Sequence, residues 1–299
     1  MLARWIPLVV LAACGGVVPT ASPTSPAGST KPAIATPLRA KPSSPPLGAD
    51  ALKRARAEAS AGIQDPKLQA LVEEHWQWVL REQPLRATRL SVHAFDTQIP
   101  DYSPKAQQRG LEFRKALLAK LKALTFPASK GKTKDQVTSS LLQTQLRAQI
   151  ASHECAFHLW TVSPRDNPLT EWNELHELHQ VKTEADARNL LARYFAISKA
   201  VDQVTSNLRS GLSRKLVANA ESVRRVITMV ERQFAQPNEQ WPLAAPLKKA
   251  YPKLTPSFVA GFKKDLASYL PTIRSALERY RDLLKKELLP QARDEETPV

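Results

Sequence analysis

The sequence predicts an all-α protein, an irregular multi-helix array or bundle preceded by a disordered tether. From Leu68 onward apolar residues recur at three- and four-residue spacing, and no alternating strand pattern interrupts them. Ahead of them, Gly15 to Asp50 is built of Pro, Ser, Thr, Ala and Gly with almost no large apolar residue. Such a segment has nothing to bury against a core and is expected to stay disordered and partly polyproline-like.

The first sixteen residues carry a different signal. Arg4 precedes a short apolar run from Trp5 to Leu11, followed by Leu11-Ala12-Ala13-Cys14-Gly15. The pattern resembles the bacterial lipoprotein signal, in which a peptidase cuts before a cysteine acylated on sulfur; the alternative is an ordinary secretory peptide cut at another small residue. A membrane span needs about twenty apolar residues, roughly twice this run. The mature protein is therefore expected to be anchored through lipid on Cys14, outside the cytoplasm in the cell envelope, at the outer membrane or periplasmic face. Each buried acyl methylene contributes about 0.8 kcal/mol, and several chains make attachment lasting. The expected organisation is a signal peptide at 1–13, a lipid-anchored linker at 14–50 and a helical domain at 51–299.

Six apolar stripes predict the helices in order. Leu68, Leu71, Val72, Trp76, Val79 and Leu80 form the first; Phe113, Leu117, Leu121 and Leu124 the second; Leu142, Leu146, Ile150, Phe157 and Trp160 the third. Leu190, Leu191, Tyr194, Ile197, Val201, Val204 and Leu208 form the fourth, and Val223, Val226, Ile227, Val230 and Phe234 the fifth. The last runs from Phe258 through Leu266, Leu277 and Leu284 to Leu288, with Pro271 expected to bend it. The stripes are wide, as core-facing helices require. Breakers between them include Pro84, Pro100, Pro104, Pro127, Gly131, Pro164, Pro168, Gly211 and Pro237. No fixed repeat accompanies them, which argues against a solenoid.

Composition limits the chemistry. Only two cysteines occur, so with Cys14 acylated no internal disulfide forms and Cys155 is expected to pack as a small apolar residue. The net charge of +15 and pI near 9.9 are spread along nearly every helix. No nucleic-acid recognition motif is present, and the charge is read as a solvated face with attraction to anionic lipid heads or envelope polymers.

Motifs are sparse. His153-Glu154-Cys155-Ala156-Phe157-His158 differs from the helical zinc motif His-Glu-x-x-His by one residue. Histidines five apart on a helix diverge by about 140°, since each residue turns it about 100°, so His153 is expected to be a hydrogen-bonded core residue instead. Glu171, Glu174, His176, Glu177 and His179 form a denser cluster, in which His176 and His179 could share a metal if a third ligand came from elsewhere. No phosphate loop, nucleophile elbow or Cys-x-x-Cys pair occurs. More distinctive is Pro84-Leu85-Arg86-Ala87-Thr88-Arg89-Leu90-Ser91-Val92-His93-Ala94-Phe95-Asp96, followed by Asp101-Tyr102-Ser103. Ser103 suits a helix cap with Pro104 as first helical residue. Asp96 and Asp101 either cap backbone donors or, with His93, face a cleft.

At these residues the chain resembles the bacterial "domain of unknown function 885" family, whose amino-terminal part carries Pro-x-x-Ala-Thr-x-Leu-Gly-x-His-x-x-Asp before an Asp-x-Ser helix start. Pro84, Ala87, Thr88, Leu90, His93, Asp96, Asp101 and Ser103 match, and Ser91 replaces the family's glycine. Weaker agreement runs through Asp186 to Arg193, an Arg209 to Gly211 turn and the closing Leu289 to Arg293. The resemblance implies a likeness to helical zinc metallopeptidases, whose metal motif lies in a carboxy-terminal half that has no counterpart here. It assigns no catalytic residue and no cofactor to this chain, with zinc only in a downstream catalytic half. The expected function is that of an exported lipoprotein inactive alone; the alternatives are the cleft-forming half of a longer peptidase that binds peptide, or a basic adaptor that binds an anionic envelope polymer.

Overall fold

The structure is a computed structural model and describes residues 49–127 and 133–294. Cys14, the signal and most of the linker lie outside the described residues, as does Gly131. Among the described residues all regular structure is helical, apart from one isolated bridge between Asn219 and Arg293. The all-α expectation holds.

The helices run in order as α1 (Ala49–Ala59), α2 (Pro66–Glu82), α3 (Pro84–Arg89), α4 (Pro104–Lys122), α5 (Lys134–Glu154), α6 (Pro168–Asn173), α7 (Leu175–Leu178), α8 (Glu184–Ser213), α9 (Ala220–Phe234), α10 (Ala245–Lys248) and α11 (Pro256–Asp282). Their starts are chemically specified. Asp65, Ser103, Thr133, Asn167, Thr183 and Asn219 each turn a side-chain oxygen onto the first free backbone N–H groups of the helix that follows. Ser103 accepts from Ala106 N at 3.2 Å and Pro104 fills the first turn, as the sequence suggested.

α8 and α11 pack along each other and carry the main core, with α9 and the short α6 and α7 against them. Trp172, Tyr194, Trp241 and Tyr280 are fully buried there. The tyrosines are polar at one end, and Tyr194 satisfies its hydroxyl by donating to Leu243 O at 2.7 Å. A second core joins α2, α4 and α5 through Leu68, Leu117, Leu121 and Leu146. A third, smaller cluster of Leu80, Ala87, Val92 and Phe95 lies under the Pro84 to Asp96 segment. Among the described residues no helix is long and apolar enough to cross a membrane.

Three sequence expectations are corrected. The third stripe does not run as one helix to Trp160: α5 ends at Glu154, and Ala156 sits at φ +54 before a 3-10 turn at Phe157–Leu159. Gly211 is not a break but lies inside α8, which ends only after Ser213. The last stripe does not continue as one α-helix to Leu288: α11 ends at Asp282 and passes into a π-helical turn over Leu283–Leu288. Pro271 sits inside α11 on its exposed side, so the Ala267 carbonyl that its missing N–H leaves without a helical donor lies on the solvent side.

Candidate functional site

The Pro84 to Ser103 motif is held by α8, and its geometry follows from how α3 ends. Pro84 occupies the first turn, where its absent N–H costs nothing. At the other end, Val92 N donates to Ala87 O at 2.8 Å and Ser91 N to Thr88 O at 2.9 Å. This is the Schellman pattern, which needs the residue after the cap in the left-handed region. That residue is Ser91, at φ +59. The turn is therefore the one a glycine would make, adopted by a serine. The reversed chain buries Val92 and Phe95 and brings Asp96 back beside Thr88.

Arg193 occupies the centre. It projects from α8 with its side chain 0 % exposed. Its Nε donates to Gln98 O at 2.9 Å, Nη1 to His179 Nδ1 at 2.9 Å and Nη2 to Thr88 Oγ1 at 2.7 Å. Pro84 O and Phe95 O lie 3.3 Å from Nη2, and Asp96 Oδ1 lies 3.4 Å from it. One guanidinium thus gathers the start of α3, its end, the following 3-10 turn and the loop after it. Burial pulls Arg193 down to about 10 while Asp96 opposes the shift, so it remains charged at neutral pH. Thr88 passes the charge on by donating to Asp96 Oδ1 at 2.5 Å.

His179 and His93 flank this hub. His179 is buried; its Nδ1 accepts from Arg193, so its proton sits on Nε2, which donates to Asp186 O at 2.9 Å. Burial first, then the Arg193 charge, holds its pKa below the usual histidine value. His93 Nδ1 donates to Asp96 Oδ2 at 2.7 Å while its side chain stays 53 % exposed. A carboxylate on Nδ1 leaves Nε2 facing outward as a proton acceptor, the orientation a general base needs. Among the described residues no serine or threonine hydroxyl hydrogen-bonds to that nitrogen.

Asp96 stands at the end of the 3-10 turn His93–Phe95, but its carboxylate meets the side chains of Thr88, His93 and Arg193 in place of backbone donors or a cleft: it is a buried counter-ion. Asp101 does the capping, accepting from Ser103 N and from Gln203 Nε2, both at 2.9 Å. Burial raises its pKa, but these bonds and Arg109 outweigh it and the net shift is downward. Next to it Tyr102 donates its hydroxyl to Glu171 Oε2 at 2.5 Å. Burial lifts Glu171 to about 6 against the pull of that bond.

The acidic and histidine cluster around His176 disperses in the fold. His176 Nδ1 bonds to Asn173 O at 2.9 Å, whereas His179 turns to Arg193, so the two rings serve different partners. Among the described residues no three His, Cys, Asp or Glu side chains converge to hold a metal ion; the residues present do not fit a zinc centre. His153 is corrected as well. It is half-buried and stacks on His158 at 4.9 Å, because the left-handed Ala156 folds the chain back. Cys155 is half-buried too. An open groove of about 590 Å³ between α8 and α11 shares no residue with the hub, and its Arg279–Asp202 and Arg209–Glu287 pairs close at 2.7 Å.

Arg193 is the residue that reading by motif missed. Its signal was present: a lone cation between Leu190, Tyr194 and Ile197 on the apolar face of α8.

The profile of the family described as "Bacterial protein of unknown function (DUF885)" matches residues 84–298. The chain belongs to this family. The match begins at Pro84, the first residue of the hub. The fold is also similar to that of a solved structure: "The crystal structure of the putative lipoprotein from Colwellia psychrerythraea" superposes with a TM-score of 0.62 at 14 % identity. The likeness covers 76 % of this chain and 42 % of that one, so the DUF885 chain described above spans less than half the length of this neighbour. No curated protein matches.

Proposed function

We propose that this DUF885 chain is an exported, lipid-anchored protein whose helical domain corresponds to the amino-terminal half of a peptidase-like architecture and performs no hydrolysis alone. One observation carries the reading: the family's most specific motif, Pro84 to Asp96, is spent on packing around Arg193 and not on lining an open site. The carboxylate that a cleft would need is neutralised inside the protein. The neighbour from Colwellia psychrerythraea, named a putative lipoprotein and extending well beyond the matched region, supports both the anchor on Cys14 and a place in the cell envelope.

Two measurements test it. Metabolic labelling with an alkyne palmitate should mark the wild-type chain and not Cys14→Ala; equal labelling would remove the anchor. Incubation of the full chain with zinc and a peptide library should yield no cleavage, and zinc-dependent hydrolysis would overturn the reading. In the alternative, these helices form the wall of a peptide cleft over a zinc site in a downstream half. Restored hydrolysis on mixing with such a half would favour it.

A further inference from the structure

The geometry points to the segment from Ala245 to Lys264 as a docking surface for an anionic lipid bilayer. The stretch APLKKAYPKLTPSFVAGFKK contains five lysines, Lys248, Lys249, Lys253, Lys263 and Lys264, and no Asp or Glu. It comprises α10, the loop after it and the first turns of α11. Lys248, Lys249, Lys253 and Lys264 are exposed, as are Ala250, Pro252, Pro256 and Ala260. Tyr251, Leu254, Phe258 and Val259 are half-buried between them.

Some cations elsewhere pair with carboxylates, Arg209 with Glu287, Arg225 with Glu221, Arg279 with Asp202 and Lys285 with Glu231, while others among the described residues, such as Lys53 and Lys105, do not. What sets this stretch apart is that its five lysines fall within a run that contains no acid and are interleaved with apolar and aromatic side chains. Among the described residues none of the five lysines forms an ion pair. Lys249 donates to His176 O at 3.3 Å, a carbonyl that leaves its charge uncancelled, and Lys263 lies 5.9 Å from the Tyr251 ring centroid. Arg188, above the Phe258 ring at 5.2 Å, adds a cation at the edge, although Glu184 holds its other side.

Two features select a bilayer over a soluble polyanion. Unpaired lysines attract anionic headgroups, each adding about a fivefold factor in partition when it reaches the surface. Interleaved aromatic, proline and aliphatic side chains match the boundary between headgroups and acyl chains, where a half-apolar, half-polar ring is best placed. A water-soluble polymer would use the charges and leave these side chains idle. The docking needs no acyl group on Cys14, so its failure and the failure of the anchor are separable.

The test uses full-length chain with phosphatidylglycerol vesicles, phosphatidylcholine vesicles and soluble dextran sulfate at matched charge. The variant K248Q/K249Q/K253Q/K264Q is compared with K53Q/K67Q/K105Q/K122Q, which removes equal charge from exposed positions elsewhere. Circular dichroism checks that both fold. Residues 1–52, Cys14 among them, are common to all three proteins, so any lipid on Cys14 contributes equally to each. Partition into phosphatidylglycerol vesicles should fall more than tenfold for the loop variant and less than threefold for the control, with no loop effect on phosphatidylcholine. Equal losses for the two variants would reduce the attraction to net charge and overturn the proposal. Loop-dependent binding to dextran sulfate as strong as to vesicles would overturn it in favour of a polymer.

Discussion

At the scale of single residues, Arg193 and Asp96 dominate. A buried ion pair is weak evidence for stability as a pair, but removing one partner strands the other charge in a medium that solvates it poorly. Arg193→Met should therefore cost about 3–5 kcal/mol in urea unfolding. Adding Asp96→Asn should recover part of that loss through a coupling of about 1–3 kcal/mol. Simple additivity of the two variants would mean that the carboxylate does not depend on the guanidinium. Ser91 is the second residue with a calculable effect. An L-residue in the left-handed region loses roughly 1–2 kcal/mol relative to the right-handed one, and the exposed Ser91 side chain makes no hydrogen bond among the described residues that would offset it. Ser91→Gly should raise the unfolding midpoint by an amount corresponding to about 1 kcal/mol; a lower midpoint would show that the serine does something the turn geometry does not explain.

At the scale of elements, the junction of α5, the Phe157–Leu159 turn and α8 depends on a missing side chain. A Cβ built on Gly211 would lie 2.0 Å from Leu159 O and 2.8 Å from Leu159 C, both backbone atoms that cannot rotate aside. Just beyond, Leu216 N donates to Gly211 O at 2.9 Å and Lys215 N to Leu212 O at 3.0 Å, which ends α8 with Lys215 at φ +60. Gly211→Ala should destabilise by at least about 2 kcal/mol, since overpacking must displace main chain. Gly261, in the first turns of α11, meets nothing within 4 Å. Gly261→Ala should instead stabilise by about 0.5–1 kcal/mol through helix propensity. Thermal unfolding of the two variants should shift in opposite directions, and shifts of the same sign would contradict the packing described. The closing segment belongs to this scale too: Arg293 accepts from Ala220 N, donates its own N–H to Ala218 O and rests 5.4 Å from the Trp160 ring centroid, tying the chain back onto α9.

At the scale of the whole molecule, histidine burial sets the response to acid. His75 and His158 are lowered to about 4, each chiefly by desolvation and then by neighbouring cationic or titrating groups, and His153 and His179 are lowered as well. The folded state keeps these rings neutral, whereas the unfolded chain protonates them near 6.5. Stability should therefore fall as pH drops from about 6.5 toward 4. Glu171 acts with opposite sign: raised to about 6 from 4.5, it holds a proton in the fold that the unfolded chain releases, so its contribution grows on acidification through that window. Four groups oppose one, and the net prediction is a lower urea midpoint at pH 4.5 than at pH 7. Glu171→Gln should make that decline steeper; an unchanged slope would mean that the carboxyl titrates normally.

The sequence by itself determined the fold class, because helical periodicity and capping are local: Leu68 to Leu80 and Val223 to Phe234 lie in helices as their spacing requires, and Ser103 caps as its chemistry requires. It also located the Pro84 to Ser103 motif. Tertiary structure alone decided what the motif does, since Asp96 and Arg193 lie far apart along the chain and only the packing of the Pro84 to Asp96 segment against α8 brings them together. It likewise decided where helices stop. Ala156 and Ser91 carry no glycine signal, and their left-handed turns are imposed by the burial of Leu159, Val92 and Phe95 that follows them. Periodicity records which face of a helix is apolar, but which charge that face will accept depends on the partner folded against it.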